Sequence, residues 1–206
     1  IRDRSHHPLM NVRWHEKEMQ TLRSDRYLGH LLRRLVKADI SVISMHTNLD
    51  ITPGGVNDAL AEALRIEDPG PLPGDESRLC RAGRLKNAVK LSDFAAVVCK
   101  ALKANGVRYA GNRPVSYVAV GGGACGDSID TVIDAGCDTF VTSDLTYHQF
   151  LDAVPKGINL IDAGHFPTED PVCQRLTAYL KSEFPTLSVS KSASHQEAIQ
   201  YFVEGE

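Results

Sequence analysis

Two side chains that could do chemistry together stand four residues apart in Asp162-Ala163-Gly164-His165-Phe166-Pro167-Thr168-Glu169. An apolar run, Ile158-Asn159-Leu160-Ile161, precedes this stretch and reads as a short buried strand, and a helical pattern begins near Thr168. On one helical turn, residues four apart share a face, so His165 and Glu169 would converge at the mouth of a strand-to-helix loop. An imidazole and a carboxylate so placed make half of a metal site. By itself the pair also fits a helix-capping region with a chance histidine. A second stretch has the same anatomy: the run Ile40 to Met45 ends in His46-Thr47-Asn48-Leu49-Asp50. A third, His6-His7-Pro8-Leu9, offers two adjacent imidazoles before a proline that stiffens the turn. Ligands of open α/β sheets gather beyond the carboxyl ends of strands, where two of these three segments would lie.

The elements that must position these groups alternate between the strand and helix periods. Leu28, Leu31, Leu32 and Leu35 predict a buried stripe on a helix from about Glu16 to Lys37, followed by a strand over Ile40–Met45. Pro53-Gly54-Gly55 makes a turn. Val56, Leu60 and Leu64 then place an apolar stripe on a short helix, with Asn57, Asp58 and Glu62 outward. Residues 67–77 read as an exposed loop and Leu79 to Leu85 as a strand. A helix capped by Ser92 buries Phe94, Val97, Val98, Ala101 and Leu102. Strands over Val107–Ala110, Val115–Val120, Cys137–Thr142 and Ile158–Ile161 follow, and the fully apolar run among them suits a strand covered on both faces. Ser143 or Asp144 caps the helix ending near Val154-Pro155. The last clear helix carries Val172, Leu176, Tyr179 and Leu180, with a strand over Leu187–Ser190 and a helix over Ala198–Val203 to finish. This alternation argues for α/β layers.

Gly121-Gly122-Gly123-Ala124-Cys125-Gly126 joins a strand to a helix. Such a loop either cradles a phosphate on its amides or simply reverses the chain tightly. It has neither the Gly-Lys-Ser/Thr of a P-loop nor the spacing of a dinucleotide fingerprint.

With 206 residues and 42% hydrophobic content, the chain can bury a proper core. A net charge of -3 and a pI near 6.3 argue against nucleic acid and anionic membranes as partners. The start is polar, unlike a secretory leader, and no apolar run approaches the roughly 18 residues of a membrane span, so a cytoplasmic location is expected. The five cysteines, Cys80, Cys99, Cys125, Cys137 and Cys173, match no zinc or disulfide framework. Cys125, in the glycine loop, is a candidate thiol that spacing does not support. His15, His30 and His195 lie in no motif and read as surface residues.

Together, His6-His7-Pro8, His46-Thr47-Asn48-Leu49-Asp50, Thr142-Ser143-Asp144 with His148, and Gly164-His165 with Glu169 resemble the NIF-three-like family. Many of its members carry the label type 2 GTP cyclohydrolase 1 homologue. Gly54-Gly55-Val56-Asn57-Asp58 matches too, and the resemblance runs from His6 to about Leu180 in order. It implies an α/β, two-lobed NIF-three-like fold with mixed sheets flanked by helices, the lobes spanning roughly 1–112 and 113–206 without an inserted domain. It also implies a toroidal homohexamer with two divalent metal ions per chain, zinc, iron or manganese. His7 and Asp50 would hold one ion, His6 and His165 the other, and Glu169 would bridge them. Two such ions suit hydrolysis, and a metal-dependent hydrolase acting on a nucleotide-like or other phosphorylated small molecule is the expected function. A non-catalytic metal-binding regulatory or scaffold protein is the alternative. His46 and His148 are the candidate catalytic groups, their ordinary pKa of about 6.5 suiting proton transfer. His46, Asp144 and Thr142 could instead orient a ligand. Relatives carry several dozen residues before the double histidine, so the chain reads as N-terminally truncated or as pairing its first segment differently.

Overall fold

The computed structural model describes residues 27–202; His6 and His7 lie outside the described residues. The chain divides into two units, residues 1–44 and 45–206. In the first, α1 (Tyr27–Lys37) covers the described part of the helix expected over 16–37, residues 16–26 lying outside the described residues. Its leucine stripe is only partly covered, Leu28 and Leu31 being exposed. The strand expected over Ile40–Met45 does not form, and Ile40, Val42 and Ile43 are exposed. A strand exists only if a neighbour takes up its backbone groups, and among the described residues none does.

The second unit opens with two short helices, α2 (Thr47–Ile51) and α3 (Val56–Ala63). One six-stranded mixed sheet follows, built from β1 (Glu67–Pro71), β2 (Arg81–Val89), β3 (Arg108–Ala110), β4 (Val115–Val120), β5 (Thr139–Thr142) and β6 (Asn159–Asp162) in the order β1-β2-β4-β5-β6-β3. The strands β4, β5 and β6 run parallel, and the remaining pairings are antiparallel. Strands from both sides of residue 112 therefore share one sheet.

The apolar runs of the central strands are covered on both faces, as a parallel core requires. Alternation sends Val118, Val120, Val141 and Ile161 to one side, against Leu60 of α3, its C-cap residue Leu64, and Phe94 and Val98 of α4 (Leu91–Leu102). Ala119, Phe140 and Leu160 face the other side, against Ile129 and Val132 of α5 (Ile129–Asp134) and Ala153 of α6 (Tyr147–Lys156). Of the residues expected on the buried face of α4, Val97 and Ala101 are exposed. Two further helices, α7 (His165–Glu169) and α8 (Val172–Glu183), complete the regular structure.

Several expectations are corrected. Residues 67–71 form edge strand β1, not a loop: Pro69 and Pro71 are tolerated because an edge strand need not donate on both sides, and a bulge between Glu67 and Gly70 absorbs the misfit. Helix α6 is capped by Thr146 with Gln149 in a reciprocal capping box, not by Ser143 or Asp144. Leu187–Ser190 and residues 198–202 have no regular structure, and among the described residues no strand pairs with them. No described helix is long and apolar enough to cross a membrane.

Candidate functional site

Three loops leave the carboxyl ends of the parallel strands: Gly121–Cys125 after β4, Ser143–Thr146 after β5, and Ala163-Gly164 after β6. The buried Asp162, last residue of β6, ties two of them together. Its Oδ2 accepts from the Leu145 amide at 2.9 Å and its Oδ1 from the Gly164 amide at 3.1 Å, while Arg108 neutralises it. Asp144, before Leu145, and His165, after Gly164, are thereby brought together.

His165 stands between two carboxylates. Its Nδ1 contacts Asp144 Oδ2 at 2.5 Å, and its Nε2 lies 3.2 Å from Glu169 Oε1, the i,i+4 neighbour that the spacing predicted. The hydrogen bond to Asp144 raises the His165 pKa above 6.5, helped by the Glu169 and Asp144 charges and opposed by partial burial. Asp144 adopts a positive φ of 56°, where Asp is among the tolerated residues, and this aims its carboxylate at the imidazole rather than at a helix end.

Asp50, in the last turn of α2, lies close enough to His46 and His165 to feel their charges. Burial raises its pKa, and the charges of His46 and His165 oppose the rise. So short a helix depends on outside ties. The Asn57 Nδ2 donates to the Asp50 carbonyl at 3.3 Å, and the Arg81 Nη2 donates to the Ile51 carbonyl at 3.2 Å. Arg81 is itself paired with Asp58 at 2.7 Å, and Asp58 also accepts from the Gly54 amide. Asn57 and Asp58, expected to point outward, thus point inward: Asn57 is fully buried, and its Oδ1 accepts from the Gly122 amide at 2.7 Å. Only the tertiary fold, which brings the β4 loop over α3, supplies those partners.

The glycine loop is a packing device. The amides of Gly121, Gly122, Gly123 and Cys125 donate to the Val141 carbonyl, Asn57, Thr168 and Thr142, so they are spent on the protein and offer no cradle to an anion. Gly123 has φ +69°, and a Cβ there would lie 2.6 Å from Glu169 Oε1 and 3.1 Å from His165 Nε2. The loop closes directly on the two predicted ligands, which explains a glycine at this position. Thr142, also singled out, serves the loop: its hydroxyl donates to the Gly123 carbonyl at 3.0 Å. Cys125 is half-buried, and its thiol donates to the Gly122 carbonyl.

A cavity of about 170 Å³ is lined by His46, Asp50 and Glu169, together with Phe166, Asp170, Cys173 and His195. His46 precedes α2, and its ring nitrogen Nδ1 lies 3.1 Å from the Thr47 hydroxyl. His148, on α6, is exposed and edge-on to Tyr147, and it is not part of this cavity wall. Asp50, His165 and Glu169 are thus neighbours, joined by Asp144 and by Asn57, which sequence reasoning had placed at the surface. His165 Nε2 and Glu169 Oε1 stand at about the separation two ligands of one ion adopt when metal–ligand bonds are about 2.0–2.2 Å. A carboxylate on the far nitrogen is the usual support of a metal-bound histidine. The donors present therefore fit a divalent ion.

The profile of the Duf34/NIF3 (NGG1p interacting factor 3) family matches residues 5–198. A Clostridium perfringens protein called GTP cyclohydrolase 1 type 2 homolog is 31% identical over 199 residues, 92% of this chain and 74% of that protein. A Streptomyces coelicolor protein of the same name is 36% identical over 188 residues, 85% and 64% of the two chains. Among solved structures, Staphylococcus aureus hypothetical protein SA1388 superposes with a TM-score of 0.78 at 26% identity, covering 88% of this chain and 75% of that one.

Proposed function

The chain belongs to the Duf34/NIF3 family, and we propose that it is a dinuclear metal-binding protein that hydrolyses a phosphorylated, nucleotide-like small molecule. The observation that carries this reading is His165, held at Nδ1 by Asp144 with Nε2 beside Glu169. His165, Glu169 and Asp50 would hold the ions with His6 and His7, the last two by family resemblance. Bound divalent metal supplies Lewis acidity and an activated water near neutral pH. The chain's own residues orient and move protons. Asp144 fixes the imidazole so that Nε2 remains for the ligand role, and the Gly123 amide holds Thr168, the residue before Glu169, against the glycine loop. His46, on the cavity wall near Asp50, can take a proton from the attacking water and return it to the leaving group. Nitrogen and oxygen donors without thiolate suit zinc, iron or manganese. We propose a toroidal hexamer as the working assembly, testable as a solution mass six times 22.5 kDa.

The size of the cavity favours a second reading. At about 170 Å³ it falls below the roughly 300–1,000 Å³ of sites that enclose small organic ligands. A non-catalytic metal-binding regulator or scaffold would need no such enclosure.

The test starts with metal content of protein purified without added metal or chelator, expected at two ions per chain. Glu169→Ala should release both, and His148→Ala should release neither. Full retention in Glu169→Ala refutes the assignment. Metal-loaded protein is then offered a panel of nucleotides and simple phosphate esters. Metal-dependent product supports the hydrolase; two bound ions without turnover of any panel member favour the regulator.

A further inference from the structure

Asp170 and Cys173 lie where the helical backbone runs on from α7 into α8 without a break: Asp170 and Pro171 both keep right-handed helical angles. Three residues apart, their side chains share one face. The tail that follows α8 brings His195 back to that face, with a turn closed by the His195 amide on the Ser192 carbonyl at 3.1 Å. The Phe166 ring packs 4.8 Å from the His195 ring and limits its orientation.

His195 Nε2 is 3.5 Å from Asp170 Oδ1 and 3.9 Å from Cys173 Sγ, and the three donor atoms lie within 4.8 Å of one another. Around a tetrahedral zinc, bonds of about 2.3 Å to sulfur and about 2.0–2.2 Å to nitrogen and oxygen set these separations near 3.4–3.6 Å. Shifts of a few tenths of an ångström would bring the two contacts with His195 to that geometry. No other group of three histidine, cysteine or acidic side chains among the described residues is this compact.

We propose that Asp170, Cys173 and His195 form a mononuclear binding site for a borderline-soft divalent ion of the Zn²⁺ class, distinct in its donors from the His165–Glu169 site. The thiolate selects against Mg²⁺ and Ca²⁺. In binding, the Cys173 S–H bond breaks, a sulfur–metal bond forms and the proton passes to solvent. Lys191 now pairs with Asp170 and also lies over the Phe166 ring; the dication replaces its ammonium at Oδ1. The fourth position is left to water. The competing reading is a surface polar cluster in which Lys191 and His195 merely neutralise Asp170.

Cobalt(II) separates these readings, and separates this site from the cysteine-free set proposed above. Titrated into the metal-free full chain, Co²⁺ should produce a near-ultraviolet sulfur-to-cobalt charge-transfer band, which Zn²⁺ displaces and Mg²⁺ does not. Cys173→Ser should abolish the band, whereas Cys125→Ser and Glu169→Ala should keep it, the latter even if every other ion is lost. His195→Ala lies in the irregular tail and leaves the sheet intact. It should weaken Co²⁺ binding by at least the roughly 10- to 100-fold that loss of an outer partner costs. Absence of the band in the unmutated chain at saturating Co²⁺, its persistence in Cys173→Ser, or unchanged affinity in His195→Ala would overturn the site.

Discussion

Replacing Asn57 by alanine isolates the joint on which the site's geometry depends. The Asn57 amide is fully buried and connects the β4 loop, through the Gly122 amide at 2.7 Å, with the end of α2, through the Asp50 carbonyl at 3.3 Å. In Asn57→Ala, the buried Gly122 N–H loses its acceptor, at a cost of about 1–3 kcal/mol. The long, part-buried bond to Asp50 adds about 0.5 kcal/mol, at the low end for a hydrogen bond. Alanine is the better helix former in α3 by about 0.5 kcal/mol, which offsets part of the loss. The net destabilisation is therefore about 2 kcal/mol, and for a domain of this size it lowers Tm by about 4–8 °C. Urea unfolding at fixed metal content, followed by circular dichroism, measures it. Glu62→Ala is the control on the same helix: that carboxylate is 69% exposed and, among the described residues, paired with Arg175 alone, so its loss should stay within about 0.5 kcal/mol. If Asn57→Ala unfolds at the same urea concentration as Glu62→Ala, the joint carries no load and the reasoning fails.

Gly123→Ala combines a positive φ, about 1–2 kcal/mol for a side-chain-bearing residue, with a Cβ 2.6 Å from Glu169 Oε1. The flexible carboxylate will swing away, so the variant should fold, lose about 1–2 kcal/mol and bind less metal; retention of both properties would contradict the close approach. The raised pKa of His165 gives a signed pH dependence in metal-free protein. An imidazolium favoured by folding contributes fully below its unfolded value of about 6.5. The contribution vanishes as pH rises through the higher folded value. The Tm gap between the unmutated chain and Asp144→Asn should therefore shrink as the pH rises above about 6.5; a constant or widening gap excludes Asp144 as the cause. In loaded protein Asp144→Asn removes the carboxylate that supports the metal-bound imidazole, so its metal release on acidification should begin at higher pH than in the unmutated chain.

By itself, the sequence determined the elements whose cause is local. Val115–Val120 is apolar almost throughout, and it forms a central strand with the predicted bounds. His165 and Glu169 stand four apart after a strand, and the helical repeat alone puts their side-chain atoms within 3.2 Å. The ordered motifs around His6, Asp50, Asp144 and His165 were enough to identify the family. What depends on a partner far along the chain was not legible. Residues 67–71 hold two prolines and a glycine and read as loop, yet β2 makes them a strand. Ile40–Met45 has the composition of a strand but no ladder among the described residues, and it remains irregular. Asn57 falls off the apolar stripe of its helix, and its burial follows only from the β4 loop that closes over it. His195 belongs to no motif and is placed beside Asp170 and Cys173 by the path of the tail. Hydrophobic periodicity specifies which face of an element seeks cover; polar side chains are positioned by the backbone groups that tertiary contact leaves needing a partner, and no local pattern encodes those.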